Sequence, residues 1–501
     1  MSSETSKNSS HSALLIATGI FAMLWIVARA AVQSITIDEA DTYLGSVWRP
    51  GPSTWDPSSN NHVLNSLLMR LFTSIFGASP ITLRLPALLG ASLFLAASYV
   101  LVRAITRRPL LQWSIFVCLT FSPFVMDYLV AARGYSLASA FLLAMIALAA
   151  HHLALRPEER TARLRRTCML ISFCGALSVS ANFSFAVADA AMGLGLYLCF
   201  CRVYRRDYGK LLFYFTAPGL LAAYCIVGSV VQAWPKGQFT WGADSLLKMV
   251  RSLVSASLFE PNNYLLQPKL LHYFVHFAPY LYPALAILIL WRIVALAIER
   301  RASWLAMAGG GAIVLSLAIH EFLFKVYAIL LPLDRTAMWL ALLFLLTAGA
   351  LAGVESDSAM GRVSRRALTF LLVVIAIYNL GCLRLTYFNE WKYDADMKNV
   401  YAVLAAYNHR YGLTKVSTNW RYVASLNCYR TMSSTETLEP IPGAPSVVNF
   451  YPDGYQAYVF YYPWDEDWVK RNGLKVVYHD RATDAAVAIR PEVETGAAQH
   501  E

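Results

Sequence analysis

The chain has 501 residues, of which 57% are hydrophobic and only 15% are charged, and its formal net charge is +11. Soluble domains usually contain about 25% charged residues, so this composition excludes an ordinary soluble enzyme. Apolar runs of about 20 residues recur along the chain, and each is long enough to cross the ~30 Å hydrocarbon core of a bilayer. The composition therefore predicts a polytopic membrane domain built only of α-helices.

The apolar runs predict about eleven membrane spans in the first part of the chain. The two runs on either side of Asn182 could instead form a single kinked span. The predicted spans are 12–32, 80–102, 110–131, 134–154, 167–183, 185–201, 211–231, 271–291, 303–321, 337–354 and 367–386. We expect residues 1–387 to form the membrane domain, with a large first outer loop at 33–79.

Basic residues fall in every second loop between the predicted spans. Arg103, Arg107 and Arg108 follow the second span, and similar clusters follow the fourth, sixth, eighth and tenth. The loops in between are poor in Lys and Arg. Because basic loops stay in the cytoplasm, this alternation places the N-terminus inside and the C-terminus outside. The positive net charge then reflects membrane topology, and no nucleic acid is expected as a partner.

Polar residues cluster in the loops that are predicted to lie outside. The first outer loop contains the acidic pair Asp38-Glu39 at the outer end of span one, and His62 precedes an apolar helix in the same loop. Carboxylates favour helix N-termini, so the pair could simply cap a short interfacial helix. The pair could also hold a divalent cation, because carboxylate oxygens are suitable ligands.

Two further outer loops contain charged residues of both signs. The second holds Asp127, Arg133 and Tyr135, and the fifth holds Asp334 and Arg335. Each cluster taken alone could be the polar end of a span, and Asp127 with Arg133 could be a structural ion pair. Charged side chains at membrane depth are costly, however, and a cluster of them calls for a reason. We therefore expect one cavity at the outer boundary to be lined by Asp38, Glu39, Asp127, Arg133 and Arg335.

The chain after residue 387 differs in pattern from the membrane domain. Helical and β-rich segments alternate there in the order helix 396–410, strand 413–418, helix 421–429, strand 455–462, helix 465–472 and strand 474–478. Strands that alternate with helices indicate a small α/β unit. We expect 388–501 to be a soluble extracytoplasmic α/β domain, and we find no catalytic constellation in it.

Several features of the first third of the chain together resemble the GT-C glycosyltransferases. The acidic pair follows span one, an outer helix comes next, and Leu83-Arg84-Leu85-Pro86 leads into span two. The segment from Tyr128 to Ser136 is similar to the aromatic-x-x-x-Ala-Arg-x-Tyr-Ser segment of the protein O-mannosyltransferase-like and aminoarabinose transferase-like branch. The resemblance covers residues 12–155. Relatives usually have two prolines after the residue that corresponds to His62, whereas Val-Leu-Asn follows it here.

This resemblance implies inverting transfer of a sugar from a polyprenyl-phosphate donor to a glycan, lipid or protein acceptor on the outer face. Asp38 would be the general base for the acceptor hydroxyl, with Glu39 beside it. Arginine pairs with phosphate through two parallel hydrogen bonds, which suits a phosphate leaving group. The residues expected to bind the donor phosphate and the substrate are His62, Asp127, Arg133, Tyr135, Asp334 and Arg335. No metal or other cofactor is required.

Two other classes of function fit parts of the pattern. A secondary transporter, or a flippase for lipid-linked glycans, should carry ionisable residues near mid-membrane, where only Asp189 comes close. A non-catalytic glycolipid-binding protein would not need Asp38 and arginines around one enclosed cavity. We therefore expect a membrane glycosyltransferase, in contact with membrane lipid and located in the bacterial inner (plasma) membrane.

Overall fold

The computed structural model describes residues 2–48, 57–205, 207–239, 241–262, 265, 268–433, 437–443 and 451–496. Most of these residues are helical, and a four-stranded sheet lies near the C-terminus. The chain therefore consists of a helical membrane part followed by a small α/β part, as the sequence predicts.

The membrane part consists of α-helices joined mostly by short loops. In chain order they are α1 (Ser2–Val32), α2 (Ile37–Thr42), α3 (Val63–Phe76), α4 (Pro80–Ile105), α5 (Pro109–Thr120), α6 (Pro123–Val130), α7 (Tyr135–Ala154), α8 (Pro157–Ala181), α9 (Ala186–Tyr204), α10 (Tyr208–Gln232), α11 (Leu246–Ser257), α12 (Pro268–Ile298), α13 (Trp304–Tyr327), α14 (Met338–Gly353) and α15 (Ala359–Gly381). A π-helical turn (Tyr43–Val47) follows α2, and short 3₁₀ turns (Phe183–Phe185 and Asp334–Ala337) precede α9 and α14. Several helices begin with proline, which is favoured there because the first helical N–H has no partner within the helix.

Nine helices in the described part of the chain are long and apolar enough to cross a membrane, and the pair α5–α6 makes a tenth if it counts as one bent span. The sequence predicts about eleven. The difference lies at 167–183, which belongs to α8. This helix begins with charged residues and does not pass the same test of length and composition. It nevertheless packs against both α7 and α10, and Asn182 separates it from α9.

The predicted span 110–131 is bent. The helices α5 and α6 meet at an angle of 55° around Phe121 and Ser122. Pro123 accounts for the break, because proline has no N–H to continue the helical hydrogen bonds and its ring crowds the preceding turn. The bend orients α6 and the loop after it independently of α5, and these segments carry Asp127 and Arg133.

Charged loops lie at opposite ends of the helix α14. Beyond its C-terminus, Glu355 pairs with Arg108 (2.7 Å) and with Arg365. Before its N-terminus, Arg335 pairs with Asp38. The basic loops and the predicted site residues thus lie apart, as the alternation of charge predicts. The direction in which the chain is inserted in the membrane stays a prediction.

The C-terminal part is a four-stranded sheet with flanking helices. Its elements are α16 (Met397–Tyr411), β1 (Val416–Thr418), α17 (Val423–Met432), β2 (Ala457–Tyr461), α18 (Tyr462–Arg471), β3 (Lys475–His479), β4 (Ala485–Ile489) and α19 (Glu492–Gly496). The strand order is β1-β2-β4-β3, with β1 parallel to β2 and the other pairs antiparallel. This arrangement is the small α/β unit that the alternating segments predict.

The first outer loop and the C-terminal part share one buried hydrophobic cluster. Ile35 and Ala40 from the loop belong to the same cluster as Leu404 of α16. The Ile37 N–H also donates to the Asp394 carboxyl group at 2.7 Å. The short helix α2 is therefore held between the membrane helices and the C-terminal part. The proposed domain boundary at 387/388 remains a prediction.

Candidate active site

A fully buried ion pair between Glu39 and Arg84 fixes the position of α2. The two carboxylate oxygens accept from Arg84 Nε and Nη2, each at 2.8 Å. Arg84 also donates to three carbonyls at the end of α1, those of Ala30, Gln33 and Ser34. Glu39 accepts two further N–H groups, from Thr36 and Ala132. The prediction of a catalytic role for Glu39 is therefore corrected, because its carboxylate is enclosed and its hydrogen-bonding capacity is used in holding α2.

Asp38 is the member of the acidic pair that faces the candidate site. Its side chain is 16% exposed, and Oδ2 lies 3.1 Å from Nη2 of Arg335. The Asp38 carbonyl accepts from the Thr42 hydroxyl (2.9 Å) and from Arg133 (3.3 Å), which holds the first turn of α2. Adjacent residues on a helix point about 100° apart, which explains why Asp38 and Glu39 meet different arginines.

Arg335 is shared between two carboxylates. Its Nη2 faces Asp38, its Nη1 pairs with Glu390, and its guanidinium lies 5.7 Å from the ring centroid of Trp391. Glu390 also accepts a hydrogen bond from the Tyr128 hydroxyl. The sequence-based prediction missed Glu390, which follows the last span in a segment without helical or strand periodicity. An acidic residue beside a tryptophan directly after that span is the only sequence signal that could have indicated it.

Asp127 anchors the segment that carries Glu390. Its Oδ1 lies 2.5 Å from Nη2 of the buried Arg29, and its Oδ2 accepts the Asn389 N–H at 2.8 Å. Arg29 also donates to the Tyr387 carbonyl. The predicted substrate-binding role of Asp127 is corrected, because both of its oxygens are occupied by protein groups. The alternative of a structural ion pair between Asp127 and Arg133 is also excluded, since Asp127 pairs with Arg29.

Arg133 is buried and positions neighbouring loops. Its side chain donates to the Thr42 hydroxyl at 2.8 Å and to the Asn60 side-chain oxygen at 2.5 Å. Only 2% of the residue is exposed. We therefore correct its predicted role as a direct phosphate ligand, because the guanidinium is enclosed by protein and connects α2 to Asn60.

His62 and Tyr135 lie side by side with their ring centroids 5.2 Å apart. Burial, together with the positive charge of Arg133, lowers the pKa of His62 well below its ordinary value, so the imidazole is neutral at pH 7. Its Nδ1 lies 3.1 Å from the Ala181 carbonyl, which can only accept, so the proton resides on Nδ1. Nε2 is then an acceptor, which suits a sugar hydroxyl better than a phosphate. Gly134 permits this packing, because a Cβ there would lie 1.8 Å from the same carbonyl oxygen.

Asp334 shapes the turn that presents Arg335. Its backbone has a φ of 47°, in the left-handed region that aspartate tolerates better than most residues. Its N–H donates to the Ser252 hydroxyl at 2.9 Å. Arg335 lines the adjoining cavity, whereas Asp334 does not. We therefore assign Asp334 to the positioning of Arg335 and not to substrate contact.

A cavity of about 580 Å³ adjoins Arg335. Its polar wall residues include Asn60, His62, Tyr135, Asn182 and Arg335. Its apolar wall residues include Phe183, Val187, Phe239, Trp241, Leu323, Ile329 and Leu330. Asp38 is not among the wall residues, but its carboxylate contacts Arg335, which is. The cavity can thus hold a ligand with a polar head and an apolar body.

The expected convergence of five charged residues is met only in part. Arg335 lines the cavity and Asp38 touches Arg335. Glu39, Asp127 and Arg133 lie in the surrounding shell of buried contacts. Sequence reasoning recognised that these residues share one end of the molecule, but could not tell which of them face the cavity.

The described ranges contain no group of three His, Cys, Asp or Glu side chains that could hold a metal ion. Asp38 pairs with Arg335 and Glu39 pairs with Arg84. The two carboxylates therefore engage different cations and do not form a joint pair of ligands, so the arrangement does not fit the cation site suggested for them.

No protein-family model and no curated protein sequence matches the chain. Solved structures with a similar course of the chain include ArnT from Cupriavidus metallidurans bound to undecaprenyl phosphate, which is 12% identical over 96% of this chain and 98% of its own, with a TM-score of 0.45. The Archaeoglobus fulgidus oligosaccharyltransferase in complex with Zn and sulfate is 11% identical over 88% of this chain and 67% of its own, with a TM-score of 0.41. The arabinosyltransferase EmbB from Mycobacterium smegmatis is 13% identical over 77% of this chain and 42% of its own, with a TM-score of 0.37.

Two of these three structures are named as sugar transferases. At such identities and TM-scores the similarity concerns the fold alone.

Proposed function

We propose that the chain is a membrane glycosyltransferase that transfers a sugar from a polyprenyl-phosphate donor to an acceptor hydroxyl on the extracytoplasmic face, with inversion. The observation that carries this proposal is the position of Arg335, which lines the cavity and contacts Asp38 through its guanidinium. A phosphate-binding cation and a general base are thereby adjacent, as glycosyl transfer from a phosphate requires.

The cavity supports the donor part of the proposal. Arg335 would bind the donor phosphate, since a guanidinium can give two parallel hydrogen bonds to phosphate oxygens. The apolar wall contributed by α9, α13 and the loop before α14 suits a prenyl chain, which has no hydrogen-bonding groups. His62 Nε2 would accept a hydrogen bond from a sugar hydroxyl. In this arrangement a protein cation supplies the charge at the leaving group, so the proposal requires no metal.

Asp38 supports the chemical step. As the acceptor oxygen forms its bond to the anomeric carbon, Asp38 takes the hydroxyl proton, and the bond from that carbon to the phosphate oxygen breaks. The leaving polyprenyl phosphate gains negative charge, which Arg335 stabilises. The acceptor hydroxyl attacks from the side of Asp38, and the polyprenyl phosphate leaves towards the cavity. This is a single displacement at the anomeric carbon and therefore inverts its configuration.

A cluster of aromatic rings around Arg421 supports acceptor entry from the C-terminal part. The Arg421 guanidinium lies 4.5 Å from the Trp464 ring centroid and 5.5 Å from that of Tyr393. Trp464 is half exposed, and the described residues include no carboxylate paired with Arg421. Tyr393 precedes Asp394, the residue that holds the start of α2. Exposed rings beside a cation suit a saccharide, so we assign this cluster to a glycan-bearing acceptor.

Arg335→Ala should weaken binding of undecaprenyl phosphate by about 10- to 100-fold, because a charge-assisted contact in a partly enclosed site is lost. Glu390→Gln should strengthen binding several-fold, because a carboxylate no longer competes with phosphate for the same guanidinium. The measurement is a titration of the lipid into the purified variants in nanodiscs. Arg301→Ala, at the opposite end of the helices, is the matched control. Unchanged affinity in Arg335→Ala would contradict the donor site.

A further inference from the structure

A second pocket, of about 420 Å³, lies among α8, α9 and α10 and contains Asp189. The proposed transfer reaction makes no use of it. We propose that this pocket binds an acyl chain of an ester-linked lipid, and that Asp189 donates a hydrogen bond to the ester carbonyl. The occupant is distinct from the polyprenyl donor, and the site is separate from the one that contains Arg335.

Neither carboxyl oxygen of Asp189 makes a hydrogen bond of good geometry in the described part of the chain, although the Ser178 hydroxyl is close enough to interact with it. The residue is only 5% exposed. The nearby Ser178 hydroxyl donates instead to the Ala138 carbonyl at 3.1 Å. A carboxyl group in apolar surroundings takes up a proton rather than remaining charged, and it then has one O–H to donate. A ligand of this pocket must therefore offer an acceptor.

The other polar side chains in the pocket wall already have acceptors. The Ser172 hydroxyl donates to the Thr216 carbonyl at 3.4 Å, and the Thr216 hydroxyl donates to the Leu212 carbonyl at 2.7 Å. The Tyr197 hydroxyl donates to the Tyr208 carbonyl at 3.2 Å. Among the polar side chains of the described wall, Asp189 is thus the one with unused hydrogen-bonding capacity. A ligand therefore needs a single hydrogen-bond acceptor near one end.

The shape of the pocket fits a chain. Its wall on α9 extends from Ala186 to Tyr197, which corresponds to about 16 Å at ~1.5 Å per residue. Small residues contribute much of the wall, among them Gly175, Gly193 and Gly219. Asp189 lies about one helical turn from Ala186, and Ala186 also lines the cavity at Arg335. The Asp189 carboxyl group therefore lies at the end of the pocket that is nearer to the Arg335 cavity. The apolar remainder of the pocket extends along α9 towards the middle of the membrane.

This order of groups distinguishes the possible lipids. A prenyl chain carries no hydrogen-bond acceptor and would leave Asp189 unsatisfied at a substantial cost. An acyl lipid places an ester carbonyl at the head end of an apolar chain, so that the carbonyl can accept from Asp189 while the chain fills the slot. An ether-linked lipid of the same chain has the shape without the carbonyl, and it provides a matched comparison.

The experiment measures lipid retention by native mass spectrometry as diphytanoyl phosphatidylcholine (ester) or diphytanyl phosphatidylcholine (ether) is titrated into the delipidated full chain. Wild type should bind one ester lipid about five- to tenfold more tightly than the ether lipid, the ratio expected for one hydrogen bond. Asp189→Leu should abolish the preference. Gly193→Leu should reduce retention of both lipids, because the new side chain has open space to enter and would fill the pocket.

Gly311→Leu is the matched control, since Gly311 is also a helical glycine with open space around it but does not line the pocket. It should bind both lipids as wild type does. Equal affinity of wild type for the ester and ether lipids would overturn the assignment of the carbonyl to Asp189. Unchanged retention in Gly193→Leu would overturn the pocket as the binding site, and that result does not depend on how well Asp189→Leu folds.

Discussion

Asp38→Asn is expected to reduce sugar transfer by about 100- to 10,000-fold, the usual contribution of a positioned general base. The amide keeps the size of the side chain but cannot take the acceptor proton. Donor affinity should be kept or rise several-fold, because the phosphate is assigned to Arg335 and one of the two carboxylates that pair with Arg335 loses its charge. The measurement is product formation from a radiolabelled donor, together with donor affinity, on purified and folded protein.

Asp207→Asn is a suitable control for this substitution. Asp207 is exposed, pairs with Lys210 among the described residues, and has a left-handed backbone that asparagine also tolerates. Its transfer rate should equal that of wild type. Near wild-type transfer by Asp38→Asn would exclude Asp38 as the base and would direct attention to Asp41 in the same helix.

Glu39→Gln is expected to lower the free energy of unfolding by about 3–5 kcal/mol, because it leaves the buried Arg84 guanidinium without its counter-charge. The effect on transfer should follow from loss of folded protein and displacement of α2. The measurement is a denaturant unfolding curve in detergent, with the remaining activity normalised to folded protein.

Glu355→Gln offers the corresponding surface control. The Glu355 side chain is 63% exposed, so water screens its pairs with Arg108 and Arg365, and their removal should cost far less than the ~3–5 kcal/mol expected for Glu39→Gln. A Glu39→Gln protein with wild-type stability and a strongly reduced transfer rate would contradict the positioning role and restore Glu39 as a catalytic candidate.

The sequence indicated the end of the molecule at which the site lies, because the alternation of basic loops separates two sets of loops. The prediction placed Asp38 and Arg335 at one cavity on this account, and the two side chains are in contact although they are far apart in the chain. The sequence could not tell which of Asp38 and Glu39 faces the site. Adjacent carboxylates on a helix differ only in the direction in which they point. The choice depends on Arg84, whose side chain donates five hydrogen bonds to the end of α1, the loop after it and Glu39, all 45 to 54 positions earlier in the chain.

Arg29 and Glu390 show a second limit of sequence reasoning. Arg29 lies in an apolar span, and its partner Asp127 is in a different span, so no local pattern connects them. Glu390 reaches Arg335 from a segment whose backbone Asp127 binds at Asn389, and neither contact is visible in a local pattern. Most C-terminal elements were more predictable, because the strands β2 and β3 and the helix α16 are encoded by local periodicity, whereas β4 was not predicted.

The most direct test of the proposed function is covalent transfer by the purified wild-type chain. The protein in nanodiscs is incubated with a panel of undecaprenyl-phosphate sugars labelled in the sugar and with an extract of cell-envelope glycans and lipids. We expect label to pass to an acceptor, with inverted anomeric configuration and with release of undecaprenyl phosphate. A flippase would move the labelled donor across a proteoliposome membrane and leave it chemically intact, and that result, with no covalent product from any donor in the panel, would contradict the account.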